Sequence, residues 1–166
     1  MTLTLAAVGA VVVAVLELTL WPYIAIGDAH PHLVLIYVVI LGIALGLDAS
    51  MTAAFTGGLL LDFLAPRPLG GTAFALLVCA GLSVVLARLL VHIRYLAPIA
   101  IVFLLSFAYS IMVAGLNDAL GGSGALVDPI STLLPGAVYD AVLAALIGPL
   151  AVALRDRRLE QERVDW

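Results

Sequence analysis

The feature that most limits how this chain can fold is a succession of long apolar stretches separated by short polar turns. The stretches cover residues 2–26, 33–64, 69–91, 95–116 and 133–154. About 20 apolar residues in a helix cross the roughly 30 Å hydrocarbon core of a bilayer. Since 64% of the 166 residues are hydrophobic and only 11% are charged, a soluble domain of this size could not bury so much apolar surface. The sequence predicts an all-α integral membrane protein.

The second stretch is too long for a single crossing. One helix over residues 33–64 would extend about 48 Å, so we expect two short helices, 33–46 and 51–64, with a tight turn at Leu47–Ser50. Asp48 lies in this turn, where a short polar side chain beside Ser50 is expected to cap the start of the next helix. The fold prediction is a compact bundle of six short transmembrane helices.

The distribution of arginine predicts the orientation, because cytoplasmic loops are enriched in basic residues. Six spans place Arg67 on one side and the other six arginines opposite: Arg88, Arg94, Arg155, Arg157, Arg158 and Arg163. We therefore expect both termini in the cytoplasm and the loop at 117–132 outside. Residues 1–154 would form one transmembrane domain and residues 155–166 a charged cytoplasmic tail. Five spans divide the arginines in the same way, so the length of 33–64 is what favours six.

Three carboxylates, Glu17, Asp62 and Asp140, lie within predicted spans, in the half that faces outward. An ionisable group inside a bilayer costs about 2.5–3.5 kcal/mol on insertion scales and often marks function. The three could line a wet cleft, share protons or hold a cation. Alternatively, each bonds to a neighbour such as Thr19 or Tyr139 and fixes helix packing.

Glu17 and Asp140 have nearly equal predicted depths, about 13 Å and about 12 Å below the outer ends of their helices. We expect them to lie close together in a closed bundle, with at least one protonated, because adjacent carboxylates repel each other. No arginine or histidine is expected at that depth. His30 and His32 flank Pro31 in the outer turn, and without adjacent carboxylates they are a weak metal signal.

Glycines mark the expected helix contacts. Gly42 and Gly46 form a GxxxG pair, and Gly57 and Gly58 are adjacent within one span. Because small residues let helix backbones approach closely in a membrane, these glycines predict tight packing of the second and third helices.

Several functional classes are disfavoured. The net charge of −4 and the absence of a basic, aromatic-interleaved patch argue against nucleic-acid binding. A single cysteine excludes a disulfide framework, and no catalytic motif is present. We expect neither enzymatic activity nor a cofactor.

Two segments of the chain contain recognisable motifs. From Glu17 to Gly71 an apolar helix, a proline-containing outer turn and an aliphatic helix lead into FTGGLLLDFLAPRPLGGTA. That motif has a Gly-rich helix ending in Leu-Leu-x-Asp, then a Pro-containing loop and Leu-Gly. Its positions are Phe55, Gly57, Gly58, Leu60, Leu61, Asp62, Leu69 and Gly70. The last helix contributes Pro135, Tyr139, Asp140 and Pro149. Together the two segments resemble MreD, the rod shape-determining membrane protein family of bacteria. Glu17 and Asp140 depart from the family, where uncharged amides are expected.

The resemblance implies a non-enzymatic scaffold of peptidoglycan elongation in the bacterial cytoplasmic membrane. Such proteins bind MreC, which has one span, and through it MreB filaments, RodA and its transpeptidase. Contact with MreC would fall on helix faces and the outer rim, among membrane lipids. The candidates for partner contacts or packing are Glu17, Gly42, Gly46, Gly57, Gly58, Asp62, Gly70, Tyr139 and Asp140.

Another class stays open. Six short helices with a polar outward cleft are also similar to the substrate-binding membrane subunit of energy-coupling-factor vitamin transporters, which would make the three carboxylates ligand contacts. The lack of aromatic clustering near them disfavours a vitamin ring. A channel or proton pathway is a third alternative, based on the carboxylates alone.

Overall fold

The computed structural model describes residues 1–24, 31–65, 69–90, 96–119 and 133–164, and these residues form six α-helices. The helices are α1 (Thr2–Ile24), α2 (Leu33–Ala44), α3 (Leu47–Leu64), α4 (Gly71–Leu89), α5 (Ala97–Ala119) and α6 (Leu134–Val164). The predicted all-α class is confirmed. Four segments, in α1, α3, α4 and α5, are long and apolar enough to cross a membrane, and α2 and the first half of α6 are shorter apolar helices. These apolar helices indicate a membrane protein.

The central helix is α2, which contacts all five other helices. Most of its 12 residues are buried, and its half-buried residues Leu33, Tyr37 and Leu41 recur every four positions and form a single stripe. A helix of 12 residues is about 18 Å long, well short of the roughly 30 Å hydrocarbon core. The bundle is therefore built around an element too short to cross a bilayer by itself.

The other helices surround α2 in a series. Helix α1 packs on α3, α3 on α4, α4 on α5, and α5 on α6. In the described part of the chain, α1 and α6 have no comparable contact with each other. The series therefore does not close in the way expected for the first and last helices, and α2 is the element that connects these two ends.

The boundary between α2 and α3 was predicted at the wrong residues. The break lies at Leu45 and Gly46, whose N–H groups both bond to the Leu41 carbonyl, at 2.7 and 3.1 Å. Gly46 has φ +92°, a conformation open to glycine and rarely to other residues, so the chain turns there and α3 starts at Leu47. Gly46 is the N-cap residue, and Asp48 lies within the first turn of α3 instead of capping it.

Glycines allow close contacts between helices at three of the predicted positions. A Cβ atom on Gly58 would lie 2.5 Å from the Ala73 Cα atom of α4, and one on Gly57 would lie 2.8 Å from Val34 of α2. A Cβ atom on Gly42 would collide with the Ser83 hydroxyl. These contacts join α2, α3 and α4 at separations that larger residues would prevent.

Gly46 and Gly70 were also candidates for packing, and for these two the structure gives a different role. Nothing lies within 4 Å of a Cβ built on either residue, and both have positive φ, +92° and +94°. They are turn residues that begin α3 and α4. The spacing of Gly42 and Gly46 looks like a packing motif, but α2 ends between them.

The remaining helix ends lie within a few residues of their predicted positions, except in α6. That helix continues to Val164, so most of the predicted tail at 155–166 extends α6. Predictions that concern Arg67, His30 and the centre of the 117–132 loop fall outside the described residues.

Candidate functional site

A cluster of polar groups surrounds the start of α2, and Asp140 is at its centre. This residue lies in α6 and is fully buried. Its Oδ1 accepts a hydrogen bond from the backbone N–H of His32 at 2.8 Å. Its Oδ2 accepts one from the Ser106 hydroxyl of α5 at 2.5 Å and lies 2.8 Å from His32 Nδ1. One carboxylate therefore joins α2, α5 and α6.

Glu17, from α1, binds the same helix end. Its Oε2 accepts a hydrogen bond from the backbone N–H of Val34 at 2.8 Å. Val34 is two residues after His32, so carboxylates from α1 and α6 both bind the first turn of α2. The predicted pair is brought to one helix end, where each binds the α2 backbone, and the shared proton stays a prediction.

The physical reason is the position of that helix end. The first N–H groups of any helix have no partner within the helix and carry partial positive charge. Glu17 lies about 10 Å before the end of α1, and Asp140 about 9 Å after the start of α6. Within an apolar bundle water is scarce, and every buried backbone group needs a protein partner. The two carboxylates provide acceptors where α2 begins below the ends of its neighbours.

His32 corrects the expectation that no histidine lies near these carboxylates. Its side chain is 14% exposed, and its ring meets the Tyr109 ring edge-on, with centroids 5.1 Å apart. When Nδ1 carries a proton it donates to Asp140, and when both ring nitrogens are protonated the two residues form an ion pair. In the sequence His32 belongs to a polar turn. It contacts Asp140 because α2 is short and begins below the ends of the neighbouring helices.

The third carboxylate forms a separate site at the start of α4. Asp62, near the end of α3, is buried and accepts hydrogen bonds from the backbone N–H groups of Gly70, Thr72 and Ala73 at 2.9, 3.1 and 3.2 Å. Gly70 is the N-cap residue and has no side chain to cap the helix itself. Helices α3 and α4 therefore form a hairpin in which the aspartate near the end of α3 caps the start of α4.

Both sites are fully bonded junctions. In the part of the chain that the structure describes, no buried side-chain nitrogen or oxygen atom lacks a hydrogen-bond partner. The same residues contain no group of three or more His, Cys, Asp or Glu side chains arranged to hold a metal ion. Tyr139 is half-buried next to Asp140. The hydrogen bonds that the three carboxylates accept lie at the starts of α2 and α4.

Sequence reasoning found the three carboxylates and missed their partners. Ser106 carried a usable signal, because it is a hydroxyl within a strongly apolar helix. Tyr109 lies one turn further on the same helix, but an aromatic residue in a span is not informative. The class defined by this fold and site is a helical protein of apolar helices whose short central helix is capped by carboxylates from its neighbours. Comparison with protein-family models, curated proteins and solved structures finds no match.

Proposed function

We propose that this protein is a non-enzymatic scaffold of peptidoglycan elongation in the bacterial cytoplasmic membrane. It binds a single-span partner such as MreC and acts through it on MreB, RodA and the transpeptidase. The proposal starts from the resemblance of residues 17–71 and of the last helix to the MreD family. It is supported most by one observation: the hairpin formed by the most recognisable motif.

In that hairpin three motif residues have a structural task. Asp62 caps α4 through three backbone N–H groups, Gly70 provides the positive φ of the turn, and Gly58 allows α3 to approach the backbone of Ala73. A motif whose residues hold two helices together fits a scaffold better than a motif whose residues bind a substrate.

The vitamin-transporter alternative is weakened by the same contacts. In that class Glu17, Asp62 and Asp140 would face a ligand. Asp62 and Asp140 are 2% and 0% exposed, and their oxygens accept hydrogen bonds from the protein. Releasing them to a ligand would leave backbone N–H groups of two helix starts without acceptors, at a cost of about 1–3 kcal/mol for each group.

The apolar surfaces of the outer helices are suited to a membrane-spanning partner. Helix α1 is the least covered of the four long apolar segments, and it exposes Leu5, Val8 and Val12. Since lipid gives no hydrophobic drive for helix association, a partner span would add van der Waals contact along such a face.

We further propose six membrane helices with both termini in the cytoplasm, on the basis of the arginine distribution. Reporter fusions at residue 29 and at the C-terminus are expected to report outside and inside, respectively. An inside signal at residue 29 would contradict the proposed orientation.

The functional proposal is tested by identifying partners. The tagged protein is isolated from its native membranes in mild detergent, with an unrelated multi-span protein carrying the same tag as the control. A single-span protein with an extracytoplasmic domain is the expected specific partner. Recovery of an ATPase subunit in its place would favour the transporter class and overturn the scaffold proposal.

A further inference from the structure

The contact between His32 and Asp140 joins a helix at the end of the series to the centre of the bundle. Helix α6 packs on α5 and on α2, and the cluster at the start of α2 is part of that second contact. Because α6 has no comparable contact with α1 in the described residues, weakening its contact with α2 leaves α5 as its main support.

Among the residues that the structure describes, the groups around His32 are acidic or neutral. The histidine lies between Asp140, whose Oδ2 is 2.8 Å from its Nδ1, and the α2 backbone that Glu17 also binds. Helix α4 has no described ionisable residue at this end of the bundle, since Arg88 lies in its last turn. The described titratable side chains at this end are Glu17 and Tyr23 on α1, Tyr37 on α2, Asp62 on α3, Tyr109 and Asp118 on α5, and Tyr139 and Asp140 on α6.

This environment favours a positive charge on the imidazole. Burial of the ring, which is 14% exposed, and the partial positive charge at the start of α2 both oppose it. That partial charge is roughly half an elementary charge, against a full negative charge on the ionised Asp140. A protonated imidazole forms an ion pair with the ionised Asp140 carboxylate, which adds charge attraction to the hydrogen bond that the neutral ring also makes. Histidine is the side chain that normally changes charge between about pH 5 and about pH 8.

We propose that His32 is a pH-responsive latch between α6 and the start of α2. Protonation of His32 tightens this contact, and loss of the proton as the pH rises loosens it. The neutral ring still donates from Nδ1, so the contact weakens without breaking. The latch is independent of the proposed function.

The test measures how often α6 separates from its neighbours. In a Cys79→Ala background, a single cysteine is placed at Ala137, which is 1% exposed, or as a matched control at Val138, which is 48% exposed. Both are in α6, less than one turn from Asp140. The measured quantity is the labelling rate of the Ala137→Cys variant divided by that of the Val138→Cys variant, with a thiol reagent in detergent. The division cancels the pH dependence of the thiol chemistry, so the ratio reports how often α6 separates from its neighbours.

This ratio is expected to rise about fivefold between about pH 5.5 and about pH 7.5, as the ion pair becomes a hydrogen bond from a neutral ring to the carboxylate. His32→Gln removes the titration and is expected to give a flat ratio. Asp140→Asn removes the counter-charge and should flatten it as well, which provides a second variant if His32→Gln does not fold. The proposal would be overturned if the ratio did not depend on pH in the protein that retains His32 and Asp140. It would also be overturned if the ratio rose equally in a folded His32→Gln or Asp140→Asn variant.

Discussion

At the starts of both α2 and α4, carboxylates accept hydrogen bonds from backbone N–H groups that have no partner within the helix. The two sites differ in how far apart in the chain the carboxylate and its partners lie. At α4, Asp62 lies eight to eleven residues before the N–H groups that it binds. At α2, Glu17 lies 17 residues before its partner Val34, and Asp140 lies 108 residues after His32. The first site is complete within one hairpin, whereas the second requires the first and last helices of the chain.

This difference separates local stability from the stability of the whole bundle. The α3–α4 hairpin has its cap and its close glycine contact within 16 residues of chain, from Gly58 to Ala73. The start of α2 is satisfied only after α1, α5 and α6 have assembled around it. Loss of the α2 site should therefore weaken the whole bundle, and loss of the α4 site should loosen the hairpin first.

The largest effect is expected for Asp140→Ala. It leaves the His32 N–H, the Ser106 hydroxyl and the imidazole without their acceptor, and breaking a buried charged contact typically costs about 3–5 kcal/mol. The free energy of unfolding in detergent is the measurement, with Asp118→Ala, an exposed aspartate in α5, as the control. A loss no larger than that of the control would mean that α2 does not depend on this carboxylate.

A smaller and more local effect is expected for Asp62→Ala. Three backbone N–H groups at the start of α4 lose their acceptor, with an expected cost of about 2–3 kcal/mol. Hydrogen exchange should accelerate at Gly70, Thr72 and Ala73 and stay unchanged at His32 and Val34. Equal acceleration at both helix starts would remove the distinction between a local and a distributed site.

The same difference explains what could be predicted from the sequence. The hairpin around Asp62 is encoded by adjacent residues, so a pattern of glycine, leucine, aspartate and a Pro-containing loop already identifies it as a unit. The α2 site depends on residues scattered from 17 to 140. Polarity within apolar stretches identifies Glu17 and Asp140, but their partners follow from the recessed start of α2, which no local pattern shows.

The length of α2 is the feature of the fold that the sequence prediction missed. The sequence from 33 to 64 predicts two helices, and the structure has two, but the prediction places the turn at 47–50 because Asp48 and Ser50 look like capping residues. Gly46 provides the turn by its backbone conformation, and Ser50 instead donates to the Val38 carbonyl at 2.9 Å, tying α3 to α2. Both readings are chemically reasonable, and tertiary contacts decide between them.

The glycine contact of the hairpin gives a third prediction. Gly58→Leu places a side chain where even a Cβ atom would lie 2.5 Å from the Ala73 backbone, so α3 and α4 must separate, with an expected loss of about 2 kcal/mol. Thermal unfolding in detergent measures it. Gly71→Ala is the matched control, since nothing lies within 4 Å of a Cβ there. Similar melting temperatures for the two variants would argue against close packing of this hairpin.

The smallest effect is expected at Glu17, which shares the start of α2 with Asp140 but is only half-buried. Glu17→Ala removes the acceptor of the Val34 N–H, with an expected loss of about 1 kcal/mol, typical of a missing cap. Glu17→Gln keeps an oxygen that can accept the same bond, so its free energy of unfolding should stay close to that of the unchanged protein. The double variant Glu17→Ala with Asp140→Asn tests whether the two carboxylates act together, because losses of stability at neighbouring groups are usually non-additive. Strict additivity would mean that α1 and α6 hold the start of α2 independently, even though they bind backbone groups only two residues apart.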